Sequence, residues 1–301
     1  MDELKMSYGG IEAGGTKFIC GIGTADGNII DKTSFSTSDP TTTLSGVVNY
    51  FKTIRNRYDF SKIGLASFGP LDLNPRSSTY GYITSTAKKG WQNINIKGAL
   101  ENALGVDVNI DTDVNAAVLA EQKWGGAQGK NLAVYITVGT GIGGGVFING
   151  RLLHGLLHPE LGHMRIRSDT INSSNLTGIC PFHQNCLEGL ASGPAIQAIW
   201  NIPAEKIPPE HIAWDHEAKF LAEGIANIIL MFSPEIIILG GGVMQQTFLF
   251  PPIRKNVQEL LNGYIRKPEI LESIEDYIVP AKLGADAGLL GALALAFEEE
   301  A

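Results

Sequence analysis

Beginning at Gly9, short apolar runs alternate with glycine-centred breaks. Residues 10–13, 18–23 and 29–35 each read as a strand, separated by Gly14-Gly15-Thr16-Lys17 and by an Asp26-Gly27-Asn28 turn. Period-two runs bounded by turn residues predict a three-stranded meander. Pro40 opens a stretch to residue 58 in which Leu44, Val47, Val48, Phe51 and Ile54 recur at helical spacing, and residues 63–68 form a further apolar run. The predicted order is β-β-β-α-β.

The second half repeats this pattern. Residues 133–138, a Gly139-Thr140-Gly141 turn, residues 144–148, an Asn149-Gly150 turn and residues 151–153 predict another meander. A helix over 213–232 and a strand over 235–239 follow, running into Gly240-Gly241-Gly242. Duplication of such a unit predicts two related α/β domains facing each other across a central cleft. Between the halves, 106–110 reads as a strand and 114–124 as a helix with Asp113 at its start. Residues 285–297, rich in alanine and leucine, predict a helix suited to close packing that crosses back to the first domain as part of the hinge. The expected division is 1–112 plus 285–301 for the first domain and 113–284 for the second, with an insertion over about 154–188.

With 301 residues, the chain is long enough for two cores, and 44% hydrophobic residues, 18% charged residues and 36 glycines describe a globular protein rich in tight turns. A net charge of −8 without a basic stripe argues against a nucleic-acid partner. No apolar run approaches the roughly 20 residues of a spanning helix. Met1-Asp2-Glu3-Leu4-Lys5 lacks a signal peptide's apolar stretch, so a cytoplasmic protein without a membrane partner is expected.

Both glycine-threonine turns suit phosphate, because backbone N–H groups without bulky Cβ atoms can approach an anion and the threonine hydroxyl adds a donor. The run from Gly139 to Gly144 also spells GxGxxG. It leads into another strand rather than a helix, which removes the N-terminus that a dinucleotide site needs. Nor does Gly14–Lys17 have the spacing of a Walker A loop. Glycines after the 235–239 strand would let a nucleotide lie against the backbone.

Asp111 and Asp113 sit where a strand gives way to a helix. Asp113 has two readings: a helix N-cap, or the general base that takes a proton from a hydroxyl attacking the γ-phosphate. Asp111 is the better structural acid. Cys20 lies in an apolar run and reads as a buried thiol. The lone His163 and the Cys180-x-x-His183-x-x-Cys186 run supply two thiolates and two imidazoles, a set that suits tetrahedral zinc, while unliganded residues or another metal remain open. Four protein ligands would make the ion structural. His154 and His158 read as solvated loop residues, and His211 and His216 need no special role.

In combination these motifs resemble the ROK family (repressors, open reading frames and kinases) of the hexokinase and actin-like ATPase superfamily, in particular its bacterial fructokinases. The residues that carry the resemblance are Glu12–Lys17, Asp113-Val114-Asn115, Thr140-Gly141, Glu160-Leu161-Gly162-His163, Cys186–Gly193 and Leu239–Gly242. The resemblance implies two duplicated actin-like, RNase H-like ATPase domains around a central cleft with a small zinc-binding insertion. It implies phosphate contacts from Gly14, Gly15, Thr16, Lys17, Thr140 and Gly141, a nucleotide surface at Gly241 and Gly242, and Asp113 as the base. Glu160, His163 and Glu188 would bind sugar hydroxyls, with the other ring nitrogen of His163 on zinc. Glu12 would orient a water on Mg²⁺.

The implied reaction is ATP-dependent phosphorylation of a hexose, with Mg²⁺ on the nucleotide and a homodimer as the assembly. The Gly81-Tyr82-Ile83-Thr84-Ser85-Thr86-Ala87-Lys88-Lys89-Gly90-Trp91 run is similar to the fructokinase subgroup, with Ala87 where proline is usual. It favours fructose and leaves mannose, glucose and N-acetylhexosamines as alternatives. Many members carry Asp at the Glu12 position and a Cys-x-Cys pair in place of Cys180–His183, so the metal ligand set follows the fructokinase-like variant. Repressors of the family carry a helix-turn-helix domain ahead of the phosphate motif, and about eight residues before Gly9 are too few for one. A sugar-binding regulator without catalysis and a metal-dependent hydrolase are the competing classes.

Overall fold

The computed structural model describes residues 7–167 and 177–297. The expectations that concern residues 1–5, the 168–176 stretch of the insertion and the last four residues of the C-terminal helix lie outside the described residues. The chain divides into two compact units. The first comprises the described residues up to Gln128, Leu152–His158 and those from Leu283 on; the second comprises Gly129–Arg151 and the described residues of Pro159–Lys282.

The first unit opens with β1 (Ser7–Ala13), β2 (Lys17–Thr24) and β3 (Ile29–Ser36), the predicted meander. Gly27, at φ 82°, makes the β2–β3 turn, in which its N–H donates to the Thr24 carbonyl at 3.0 Å. Helix α1 (Pro40–Ile54) starts where Asp39 accepts the Thr42 N–H and Pro40 needs no donor of its own; it ends four residues short of the expected 58. There follow β4 (Lys62–Ser67), a short hairpin of β5 (Tyr82–Ile83) and β6 (Ile94–Asn95), α2 (Ile96–Leu104), β7 (Asp107–Thr112) and α3 (Asp113–Trp124). The sheet order is β3-β2-β1-β4-β7, with β1, β4 and β7 parallel. One face packs on Val47, Phe51, Leu100 and Trp91, all fully buried. Each such side chain contributes about 2 kcal/mol of transfer free energy.

The second unit has β8 (Leu132–Val138), β9 (Ile142–Ile148), β10 (Arg151–Leu152), α4 (Leu187–Ala191), α5 (Gly193–Trp200), α6 (Ala213–Phe232), β11 (Ile236–Gly240), α7 (Phe250–Leu261), α8 (Pro268–Leu271), α9 (Ile274–Tyr277) and β12 (Ile278–Pro280). Its sheet order, β10-β9-β8-β11-β12, repeats the first unit strand for strand, with β8, β11 and β12 parallel. The duplication expected from the sequence is thus present in the topology. Among the described residues no helix is long and apolar enough to cross a membrane.

Helix α10 (Ala287–Phe297) returns to the first unit and lies on the sheet face opposite α1 and α2. Its approach is close enough that a Cβ on Gly64 would sit 1.8 Å from the Ala292 carbonyl oxygen, and one on Gly291 2.2 Å from that of Ala116. The second contact ties α3 to α10. Helix α3 therefore sits in the first unit, although the expected division at 112/113 gave it to the second; Leu152–His158 likewise lies in the first unit.

Because the neighbour at Gly64 is backbone, Gly64→Ala has no flexible atom to displace and is expected to lower the apparent Tm by about 5 °C or more. Thermal unfolding followed by circular dichroism checks this, and a change under about 1 °C would contradict the packing.

Candidate active site

Residues 14–17 close a tight turn between β1 and β2. The Gly14 N–H donates to the Lys17 carbonyl at 3.0 Å, and a Cβ on Gly14 would lie 2.8 Å from that oxygen, so only glycine fits. Thr37 braces the turn from β3's end, donating its hydroxyl to the Gly14 carbonyl at 2.7 Å and its N–H to the Thr16 carbonyl at 2.9 Å. Gly15, Thr16 and Lys17 are left exposed. A braced turn with outward donors and a lysine is chemically suited to a phosphate.

The second turn, between β8 and β9, borders a cavity of about 530 Å³, large enough for a nucleoside. Thr140 and Gly242 line it, together with Gly139, Gly193, Gln197 and Trp214. Gly141 and Gly241 do not. A Cβ on Gly141 would meet Glu188 Oε2 at 2.7 Å, and Gly241, at φ 90°, lies with its Cβ direction 2.4 Å from the Val138 carbonyl oxygen. Both positions therefore exclude a side chain. Sequence reading missed Gln197 and Trp214, which only the folding of α5 and α6 brings to the cavity. The start of α5 was readable, since Ser192 caps it and Pro194 stands in its first turn.

Two carboxylates of the first unit, Glu12 and Asp113, lie near enough for the charge of Asp113 to act on Glu12. Thr112, not Asp113, caps α3: its hydroxyl accepts the Asn115 N–H at 3.1 Å. Asp113 is the first residue of the helix and accepts only its neighbour Val114 N–H, at 2.9 Å. The capping reading is thereby replaced, and the carboxylate is released for other work. Asp113 is half-buried, yet its carboxyl sits deep among protein atoms, and burial pushes it up to about 6 against the pull of local backbone N–H groups. Glu12 is pushed up to about 7, mainly by burial and then by the Asp113 charge, with Lys17 opposing. Its Oε2 is buried without a hydrogen-bond partner.

Asp111 is fully engaged. It accepts its own neighbour Thr112 N–H at 2.7 Å, Asn115 Nδ2 at 2.8 Å and His154 Nε2 at 2.8 Å, which fits the expected structural role. Here the reading of His158 as a solvated loop residue is corrected, whereas His154 lies in a loop and is exposed, as expected. His154 is paired with Asp111, and His158 is buried, its Nε2 accepting the Leu71 N–H at 3.1 Å.

In the second unit, Glu160 precedes a single 3-10 turn, Leu161–His163, pressed so tightly on β9 that a Cβ on Gly162 would lie 1.7 Å from the Ile142 carbonyl oxygen. His163 faces two ways. Nε2 lies 4.0 Å from Glu160 Oε2, while Nδ1 lies 3.8 Å from Cys180 Sγ and 3.6 Å from Cys186 Sγ. His183 Nδ1 is 3.7 Å from Cys180 Sγ, and all four ligand atoms lie within 4.8 Å of one another. Tetrahedral zinc, with bonds of about 2.3 Å to sulfur and 2.0 Å to nitrogen, has nitrogen–sulfur edges of about 3.5 Å. The donor set fits such an ion. Glu188, on α4, accepts the Ile142 N–H at 2.9 Å. Cys20, outside this cluster, is fully buried, and desolvation pushes its thiol up.

The His154 pair has a testable pH signature. The hydrogen bond and charge of Asp111 raise His154 above its ordinary 6.5, outweighing partial burial. Stability from the pair is fully present below about pH 6.5 and is lost as pH rises through the raised value. His154→Ala is expected to lower Tm at about pH 5.5, with the gap to wild type narrowing by about pH 9; because the ring is partly exposed, the effect stays at or below about 1 kcal/mol. A gap independent of pH in thermal melts would contradict the ion pair.

The sequence profile of the ROK family matches residues 8–299. The chain is 45% identical over 295 residues to the fructokinase of Lactococcus lactis subsp. cremoris, which covers 98% of each chain. It is 40% identical over 305 residues to the fructokinase of Zymomonas mobilis subsp. mobilis, covering 100% of this chain and 99% of the relative. Among solved structures, the ROK hexokinase from Thermus thermophilus superposes with a TM-score of 0.78 at 28% identity, covering 97% of this chain and 98% of the other. A ROK family glucokinase from Streptomyces griseus, in complex with glucose and AMPPNP, gives 0.75 at 25% identity over 96% and 99%. With its two mixed sheets in repeated strand order, the chain belongs to the ROK family and has the actin-like α/β fold of the ROK sugar kinases.

Proposed function

We propose that this chain is an ATP-dependent fructokinase, converting D-fructose and ATP to D-fructose 6-phosphate and ADP. The observation that supports this most is Asp113: a carboxylate at a helix start that is not spent on capping the helix and is held near 6, where it is ionised at neutral pH. Such a group serves as a general base, taking the proton of the sugar hydroxyl as that oxygen attacks the γ-phosphorus. The fructokinase-named relatives, at 38% to 45% identity over nearly their whole length, support the choice of sugar.

In this reading the turn of Gly14, Gly15, Thr16 and Lys17 holds terminal phosphates, with Thr140 as a further donor, and the cavity beside Thr140 and Gly242 takes the nucleoside. Glu160, His163 and Glu188 bind sugar hydroxyls, Glu188 keeping one oxygen on Ile142. Mg²⁺ would arrive with ATP and neutralise phosphate charge. The unpartnered Oε2 of Glu12, beside the Asp113 charge, suits a water on that ion. Zinc on His163, Cys180, His183 and Cys186 would be structural, since four protein ligands leave no open position, and this speaks against a zinc hydrolase. It would fix His163 so that Nε2 stays turned to Glu160. The family implies a homodimer in the cytoplasm.

Asp113→Asn is expected to fold normally and to lose about 10²- to 10⁴-fold in kcat. Because the base acts ionised, wild-type kcat/KM for the sugar should fall about tenfold per pH unit below about 6 and level off above it. A coupled ADP-release assay on fructose, mannose, glucose, N-acetylmannosamine and N-acetylglucosamine checks the substrate. Preference for an amino sugar by about tenfold would overturn fructose, and absence of turnover on every sugar would favour a regulator. Elemental analysis should find about one zinc per chain. Less than about half an equivalent in fresh protein would remove the zinc assignment.

A further inference from the structure

The run from Gly81 to Trp91 carries β5 near its start. It ends in Trp91, whose fully buried ring packs at 5.4 Å from that of Phe18 and 5.6 Å from that of Phe68, while its indole N–H donates to the Ser38 carbonyl at 2.8 Å. Phe18 directly follows the phosphate turn. The aromatic contact that locks Trp91 therefore also sets the spacing between this run and the turn.

The residues before Trp91 are braced from within. The buried Thr86 hydroxyl accepts the Lys88 backbone N–H at 3.2 Å, the Thr86 carbonyl accepts the Gln92 side-chain amide at 2.9 Å, and the Trp91 N–H donates to the Lys88 carbonyl at 3.1 Å. Lys88 stands on this shelf with its ammonium donating to the main-chain carbonyl of Gly15, at the tip of the turn. Among the described residues no carboxylate pairs with Lys88, and a Cβ on Gly15 would meet nothing within 4 Å. A full positive charge is thus held at the open side of a phosphate turn on a neutral acceptor alone.

We propose that Lys88 binds the transferred phosphoryl group, exchanging the Gly15 carbonyl for an oxygen of the γ-phosphate. This deepens the kinase reading and rests on it. A charge-assisted bond to phosphate is about twice as strong as one to a neutral carbonyl, and the flexible lysine stem permits the exchange without moving the shelf. During transfer the sugar oxygen forms its bond to the γ-phosphorus. The bond to the bridging oxygen breaks, its electron pair leaves with ADP, and the hydroxyl proton goes to Asp113. Lys88 keeps its proton throughout and stabilises charge on the equatorial oxygens.

The test uses the full chain with Mg²⁺ and compares ADP with AMPPNP by calorimetry. Lys88→Met should weaken AMPPNP about tenfold or more and ADP by less than about threefold. It should also lower kcat about 10- to 100-fold while KM for fructose stays within about threefold. Lys88→Arg, which keeps the charge, should recover part of the AMPPNP affinity. Equal weakening of both nucleotides would show a bracing role for the turn, and no change in either would show no role; both outcomes overturn the proposal. If Lys88→Met does not fold, Lys88→Gln and Lys88→Arg supply the same comparison. The ratio is read without sugar, so its failure is separable from that of the kinase reading, which would show as wild-type protein binding neither nucleotide.

Discussion

The register of β1 against β4 and of β4 against β7 decides which groups of the first unit can meet. Glu12 pairs with Ala66 and Ala66 with Asp111, so the two acids flank a methyl group on one sheet face. Two residues earlier, the same face shows Gly10, Gly64 and Asn109 in a row. That row is where α10 lies, its backbone over Gly64 and its Leu295 carbonyl accepting the Asn109 side-chain amide at 2.9 Å. Further along the same helix, a Cβ on Gly288 would sit 2.3 Å from the Glu12 carboxyl carbon. One helix thus needs bare backbone beneath it at one place and supplies bare backbone over a carboxylate at another. A one-residue slip of β1 would turn Glu12 to the opposite face, into the aromatic core around Phe51 and Trp91.

Glu12 and Asp113, which follows the end of β7, owe their chemistry to burial. Two carboxylates in a poorly solvated place cannot ionise equally, and they titrate as a pair in two steps. Asp113, near 6, loses its proton first, against a Glu12 that is still neutral; Glu12 then titrates near 7 against a charged Asp113 and carries the coulombic cost. The order matters for a kinase. At neutral pH the group suited to base catalysis is already ionised, while the second acid responds to whatever cation or donor comes beside its unpartnered oxygen.

Much of this arrangement was legible in the chain because it rests on local rules. Gly14 and Gly27 stand where backbone contact or positive φ demands glycine, and the Cys180–Cys186 spacing brings thiols and imidazole together within one short loop. Other parts were not, and the reasons are physical. Thr112 and Asp113 are both good capping residues, and only the strand's end point decides which one caps. Gly141 and Gly241 are held to glycine by contacts to Glu188 and Val138, which are distant in sequence. His154 and His158 carry no local signal, since their partners Asp111 and Leu71 lie 43 and 87 residues away. The place of α3 depended on Gly291, far down the chain.

The repeated strand order shows how one scaffold carries two chemistries. In the first unit the ends of β1 and β7 present carboxylates, and the connection after β1 is a braced, exposed turn suited to phosphate. In the second, β8 and β11, the counterparts of β1 and β4, run into glycines, and Gly139 and Gly242 line the cavity. The sheets are alike because burial of alternating apolar residues dictates them, whereas the strand ends are free of that demand. Asp113 illustrates the freedom: with Thr112 satisfying the helix, the next residue can be an acid whose only structural obligation is one N–H. Where a cap and a base would otherwise compete for one side chain, two adjacent residues divide the work, and the energetic demand of the fold is met without drawing on the carboxylate proposed as the base.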